Sequence, residues 1–205
     1  MGSEKRKIVL ASTSPYRQQL LRQIGVDFVA VAPAAEEVID QSIAAQLLVK
    51  HLALQKAASL SNEYADAIII GADQVFVDAR GTIIGKPATA AAARRQLQLM
   101  SGKMHTFYTG LAVVDTRSRQ TQCDYTTFSV TMRNLSSEQI ASYIRRENPV
   151  DCAGSFKIEG LGVALMEKMS GDDYTALIGL PLIRLTSMLQ QCGIDVLLGD
   201  QTLLL

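Results

Sequence analysis

The chain reads as a mixed α/β protein, a mixed central β-sheet flanked by helices. Three observations predict it. Strand-like and helix-like stretches alternate along most of the 205 residues. A long pair of consecutive strand patterns interrupts that alternation as a hairpin, so the sheet is not purely parallel. A hydrophobic content of 48% over 205 residues suits one compact domain, spanning 1–205.

The elements follow in order. "KIVLAS" is a β-branched run that ends in hydroxyls, a strand aimed at a turn. "SPYRQQLLRQIG" is a helix with Ser14 as N-cap, Pro15 at the first helical position and Gly25 as its stop. "DFVAVAP" is a second strand ended by Pro33, and "AAEEVIDQS" an acidic loop. "IAAQLLVKHLALQKAASL" carries apolar residues at helical spacing. "AIIIGADQVFVD" is a nearly continuous apolar strand, broken by Gly71, Asp73 and Gln74. "ARGT" turns into "IIGKP", and "TAAAARRQLQLM" is a helix capped by Thr89 and stopped near Gly102. "KMHTFYTGLAVVDT" and "QTQCDYTTFSVTMR" form the hairpin. "SSEQIASYIRREN" opens with a capping box. "PVDCAGSFKIEGLG" is a Gly-rich loop, "VALMEKM" a short strand, and "LIGLPLIRLTSMLQQCG" closes with a helix led by Pro181.

Composition narrows the function classes. Twenty basic residues balance twenty acidic ones, which argues against a nucleic-acid polymer as partner, because such binding leans on a basic footprint. No apolar run approaches the ~18 residues of a membrane span, and "MGSEKRK" does not lead into a signal-peptide core. Cys123, Cys152 and Cys192 are an odd number without paired spacing, so reduced thiols and a cytoplasmic location are expected. Two histidines exclude a multi-His metal site. There is no G-x-x-x-x-G-K-[ST] and no Ser-His-Asp or Cys-His arrangement.

Polar residues break the apolar pattern in four places. Ser12, Thr13 and Ser14 offer hydroxyls before a helix start, and Arg17 adds a fixed charge. Helix N-termini bind phosphates through unpaired N–H groups and the macrodipole, although an N-cap with spare serines accounts for the stretch equally well. Glu36 and Glu37 follow Pro33; carboxylates there suit a hard divalent cation, and on local pattern a solvated loop pair is the commoner explanation. Asp73 is the most informative acid, because a carboxylate among such apolar neighbours is costly to bury unpaired. Gly71 beside it lets a ligand or a neighbouring backbone approach closely. Lys56 lies by an apolar helix stripe, where snorkelling is common, and Lys86 in "GKP" is presented by a turn. Together Arg17, Lys56 and Lys86 suit a polyphosphate, and Glu37 and Asp73 suit Mg²⁺, the needs of phosphoanhydride hydrolysis.

The segments "LASTSPYRQQLL", "GADQV", "GKP", "FYTGLA", "CAGSFKIEG" and "GLPL", in that order, resemble the Maf family of nucleotide pyrophosphatases. Within it the chain looks closest to the YceF-type branch, whose members act on 7-methylguanosine triphosphate. The resemblance implies a two-lobed fold with a cleft, similar to the inosine triphosphatase group, and a possible homodimer. It implies hydrolysis of a nucleoside triphosphate to monophosphate and diphosphate with a divalent cation, Mg²⁺ or Mn²⁺. Asp73 falls on the family's proton-accepting aspartate. Ser12, Arg17, Glu37, Lys56 and Lys86 fall on its polar positions around phosphates and metal, and Ser14 assists.

Three further positions separate the branches. The pyrimidine-acting branch reads Ser-Pro-Arg-Arg, Ala-Asp-Thr and Ile-Gln-Gly; this chain has Tyr16, Gln74 and Glu159 in those places. The YceF-type pattern has an aromatic, usually Trp, with Gln and Glu, so Tyr16 is a departure from Trp. N7-methylation makes guanine cationic. An aromatic face attracts a cation by ~0.5–2 kcal/mol, and a carboxylate such as Glu159 can accept from the ring N1–H and the exocyclic amine. The rival expectations are dTTP/UTP pyrophosphatase activity, or a non-catalytic nucleotide-binding regulator of cell division.

Overall fold

The structure, a computed structural model, describes residues 6–35 and 40–198. Its sheet runs in the order β2 (Val29–Val31), β1 (Lys7–Ala11), β3 (Ala67–Val77), β5 (Met104–Asp115), β6 (Gln120–Met132), β7 (Met166–Ser170), with β4 (Ile83–Ile84) paired to β3. The helices are α1 (Pro15–Gln23), α2 (Ala45–Ala58), α3 (Ala90–Met100), α4 (Ser137–Glu147), α5 (Tyr174–Ile178) and α6 (Leu182–Gln191). β1 pairs in parallel with β2 and β3, whereas β3–β4 and β6–β7 are antiparallel, so the sheet is mixed as the hairpin pattern predicts. Contacts divide the chain into two units, one of residues 1–74, 109–126 and 173–205, the other of 75–108 and 127–172.

In the first unit, β1 and the start of β3 are continuous apolar runs because both faces are covered. Ile8, Leu10, Ile68, Ile70, Leu111 and Val113 face one way and pack with Leu20 and Leu21 of α1 and Leu185 and Leu189 of α6. Val9, Ala11, Ile69, Ala112 and Val114 face the other way and pack with Ala53, Ala57 and Leu60, from α2 and just beyond it. α2 lies unusually close to the strands. A Cβ on Gly71 would stand 2.1 Å from the Ala53 carbonyl oxygen and 2.8 Å from the Ala57 nitrogen. A Cβ on Gly110 would stand 2.1 Å from the Val49 carbonyl oxygen. The close approach that Gly71 permits is made by the backbone of α2.

The far end of β5 is locked by a buried ion pair. The Arg6 guanidinium donates to both Asp115 oxygens at 2.9 and 2.5 Å, and to Asp66 at 3.2 Å. Burial alone would push the Asp115 carboxyl up. The Arg6 guanidinium and hydrogen bonds from Ser118 outweigh it and hold the group well below the usual carboxylate range. The stability this contributes is present above the ordinary carboxylate pKa and is lost as pH falls through the depressed one. Asp115→Asn is therefore expected to cost about 2 kcal/mol near neutral pH and to flatten the acid side of the stability profile. Chemical denaturation across pH 2–7 checks it, and an unchanged profile contradicts it.

The second unit is built around aromatic rings. Phe76 stands 4.6 Å from Phe107, 5.5 Å from Phe156 and 5.6 Å from His105, centroid to centroid. His105 Nε2 donates to the Met100 carbonyl at 2.9 Å, and burial pushes the imidazole pKa down, so the ring is a neutral core residue. α3 is capped by Thr89, and α4 by the Ser136–Gln139 capping box. The Gly-rich loop after α4 is pinned to that helix: the Lys157 N–H donates to Tyr143 Oη at 3.0 Å, and the Leu161 N–H to Glu147 at 2.9 Å.

Two segments differ from the sequence pattern. "VALMEKM" is half 3₁₀ turn (Leu161–Leu165) and half strand. α6, led by Pro181 at its cap position as expected, is preceded by the separate short helix α5, which the pattern does not separate. None of the described helices is long and apolar enough to cross a membrane.

Candidate active site

The site begins where β1 stops. Leu10 is level with Ile70 in the parallel register, so the loop after β1 leaves the sheet beside Gly71, Ala72 and Asp73. The carboxyl ends of parallel strands are where open α/β sheets place ligands. Ser12 is buried; its Oγ accepts from the Ser14 N–H at 3.2 Å and from Arg17 Nη1 at 3.5 Å. Ser14 caps α1, its Oγ accepting from the Arg17 N–H at 3.4 Å, with Pro15 opening the helix. Arg17 Nε donates to the Gly179 carbonyl at 2.9 Å, which fixes the guanidinium along the loop. Tyr16, one step earlier on α1, is 44% exposed.

Beside this loop lies a buried pair. Lys56 Nζ donates to Asp73 Oδ1 at 2.5 Å, and both residues are buried. The snorkelling reading of Lys56 is thus replaced by a charge-assisted bond across α2 and β3. The close approach of α2 at Gly71, two residues before Asp73, is what brings the ammonium within reach.

Gln74 does not point freely outward. Its Nε2 donates to Thr109 Oγ1 at 2.9 Å, to the Ala176 carbonyl at 2.7 Å and to the Leu177 carbonyl at 3.2 Å. Lys86 and Glu159 are exposed residues of the second unit, Lys86 between β4 and α3 and Glu159 in the Gly-rich loop. Glu37, with its neighbour Glu36, lies outside the described residues. The first unit therefore gathers Ser12, Ser14, Tyr16 and Arg17 on one loop and helix start, next to Lys56, Asp73 and Gln74.

The metal expectation rests on Asp73 and Glu37. Among the described residues no group of three or more His, Cys, Asp or Glu side chains gathers to hold an ion. Mg²⁺ commonly keeps several waters and takes one or two carboxylates together with substrate phosphates. A single carboxylate within β3, beside the loop that opens α1, fits that mode of binding.

Sequence reasoning passed over Thr109, Asp173 and Gly179. Thr109 is fully buried in "FYTGLA", and a lone hydroxyl in an apolar run was the available signal. Asp173 caps α5 and accepts from the Thr175 N–H and the Ile183 N–H, each at 2.9 Å, which joins α5 to α6. The thiols are unpaired, and burial, then Asp151, pushes Cys152 up to about 11, so it holds little thiolate near neutral pH.

Comparison with known proteins places the chain in a family. A protein of Syntrophotalea carbinolica named 7-methyl-GTP pyrophosphatase is 58% identical over 194 residues, 95% of this chain and 98% of that one. A protein of Vibrio parahaemolyticus with the same name is 48% identical over 191 residues, 93% and 98% of the two chains. The solved structure of the Staphylococcus aureus Ham1 protein aligns with a TM-score of 0.45 at 12% identity, over 63% of this chain and 73% of that one. The family model described as Maf-like protein matches residues 7–192, and the chain belongs to that family.

Proposed function

We propose that the protein is a nucleoside triphosphate pyrophosphatase that hydrolyses 7-methyl-GTP to 7-methyl-GMP and diphosphate, a house-cleaning reaction on a modified nucleotide. The observation that carries the chemistry is the buried Lys56–Asp73 pair, at 2.5 Å, beside the Ser12–Arg17 loop. The substrate comes from the name shared by relatives that are 58% and 48% identical over nearly the whole chain.

In this reading Asp73 orients a water and takes its proton as the water oxygen bonds to the α-phosphorus. The bond from that phosphorus to the bridging oxygen breaks, and diphosphate leaves with the electron pair. Arg17, and Lys56 beside Asp73, offset the charge that gathers on the phosphoryl oxygens. Ser12, Ser14 and the N–H groups of the α1 start hold the chain of phosphates in register. A divalent cation, Mg²⁺ or Mn²⁺ on Asp73 with Glu37, would neutralise phosphate charge when bound. Lys86 and Glu159 keep, on residue type alone, the roles of a phosphate cation and an acceptor for the base edge. The substrate is small, and this reading includes a homodimer and a cytoplasmic location.

Diphosphate release across N7-methylated and unmodified nucleoside triphosphates tests the reading. Faster cleavage of dTTP or UTP than of 7-methyl-GTP overturns the substrate, and nucleotide binding without any diphosphate release overturns the enzyme. Tyr16 supplies a sharper check. Replacing it by Arg puts a cation where a cationic base stacks, and should lower the preference for the methylated base by about 2- to 30-fold in kcat/KM. An unchanged preference removes Tyr16 from base recognition.

A further inference from the structure

Arg17 reaches into its loop from a helix, yet its guanidinium is aimed by a distant carbonyl, that of Gly179, at 2.9 Å. Gly179 ends α5 with φ +118, a backbone conformation that favours glycine. A Cβ there would also stand 3.5 Å from Arg17 Nε, so the guanidinium stem lies along the bare glycine.

α5 has five residues, too few to hold its own place by helical bonds. Its position is set by polar groups from the sheet. The buried Thr109 hydroxyl donates to the Ala176 carbonyl at 2.8 Å and accepts from Gln74 Nε2 at 2.9 Å. Gln74 Nε2 in turn reaches the Ala176 and Leu177 carbonyls at 2.7 and 3.2 Å. These bonds fall in the middle of α5. From there the Gly179 N–H bonds back to the Thr175 carbonyl at 3.1 Å, leaving the Gly179 carbonyl turned to Arg17.

We infer that Thr109 is a positioning residue for substrate binding: with Gln74 it clamps α5, and through the Gly179 carbonyl it fixes the direction of the Arg17 guanidinium. Gln74 on this account acts on the triphosphate end through the protein, not by touching the base. The inference rests on the reading of Arg17 as a phosphate-binding cation.

The discriminating variant is Thr109→Val, which keeps the shape of the side chain and removes the hydroxyl. Thr109→Ser, which restores it, should behave as wild type. The first readout is hydrogen exchange of the Arg17 Nε–H by NMR, assigned by its disappearance in Arg17→Ala. Thr109→Val should speed that exchange by roughly 2- to 10-fold, the equivalent of one hydrogen bond, and raise KM for 7-methyl-GTP by a similar factor. The second is a cycle with Arg17→Ala, in which the Thr109→Val effect on KM should vanish. Should Thr109→Val not fold, Gln74→Met removes the same clamp from the other side and is read in the same way. Unchanged Nε–H exchange in a folded clamp variant overturns the inference, and so does a KM effect that persists undiminished without Arg17. If Arg17→Ala leaves KM unaltered, the phosphate role of Arg17 fails instead, and the exchange measurement still decides whether Thr109 aims it.

Discussion

Asp73→Asn is expected to lower kcat by about 10²–10⁴-fold, the range for removing a positioned general base, while the protein stays folded at a cost of about 2 kcal/mol for taking the countercharge from buried Lys56. Asn keeps the size of the side chain and an amide oxygen that can still accept from Lys56, whose Nζ lies 2.5 Å from Asp73 Oδ1. What it loses is the ability to take a proton from water. The effect should fall on the chemical step, so single-turnover diphosphate release is the measurement, with circular dichroism melting as the control for folding. Near-wild-type turnover from a folded Asp73→Asn protein would sink the assignment. A large loss of stability with proportionate loss of activity would recast Asp73 as a structural partner of Lys56.

Asp73 was legible in the sequence because it violates a pattern: a carboxylate inside "IIIGADQVFV" asks for a partner. Its partner was not legible to the same degree. The helical stripe places Lys56 at the edge of an apolar face, where snorkelling is ordinary, and only the tertiary approach of α2 to β3 turns it inward. Both ends of α1 were legible, since Ser14 and Pro15 at its start and Gly25 after its end are local signals and the structure uses each of them. α5 was missed because five residues are too short for a 3.6-residue period to declare itself. It forms because Asp173 caps it and the clamp at Ala176 and Leu177 holds it, both long-range facts. β2 has three residues where the pattern suggests more, since strand length follows pairing, and its register with β1 covers only Val29–Val31. Tyr16, Gln74 and Glu159 stood out by resemblance, and the structure adds a physical job for Gln74 that no local pattern announces.

The sequence signal at Gly71 leads to the other large effect. Gly71→Ala should cost about 3 kcal/mol, the upper part of the usual range for overpacking, and should also lower kcat. In a β-strand alanine is no worse than glycine locally, so the whole cost must come from the neighbour. That neighbour is backbone: the added methyl meets the Ala53 oxygen at 2.1 Å and the Ala57 nitrogen at 2.8 Å, and neither can rotate away. α2 must therefore shift as a body, and Gly110 on β5, where a Cβ would stand 2.1 Å from the Val49 oxygen, shows that the helix rests equally closely on both strands. Lys56 rides on the displaced helix directly ahead of Ala57, so its bond to Asp73 lengthens and the paired site loosens with the fold. For a chain of this size about 3 kcal/mol corresponds to roughly 6–12 °C in Tm. Gly85→Ala is the matched control, because nothing lies within 4 Å of a Cβ there, and it should melt with the wild type. A Gly71→Ala protein that melts within 2 °C of wild type and keeps its turnover would show that the closeness of α2 to the sheet is not what seats Lys56 on Asp73.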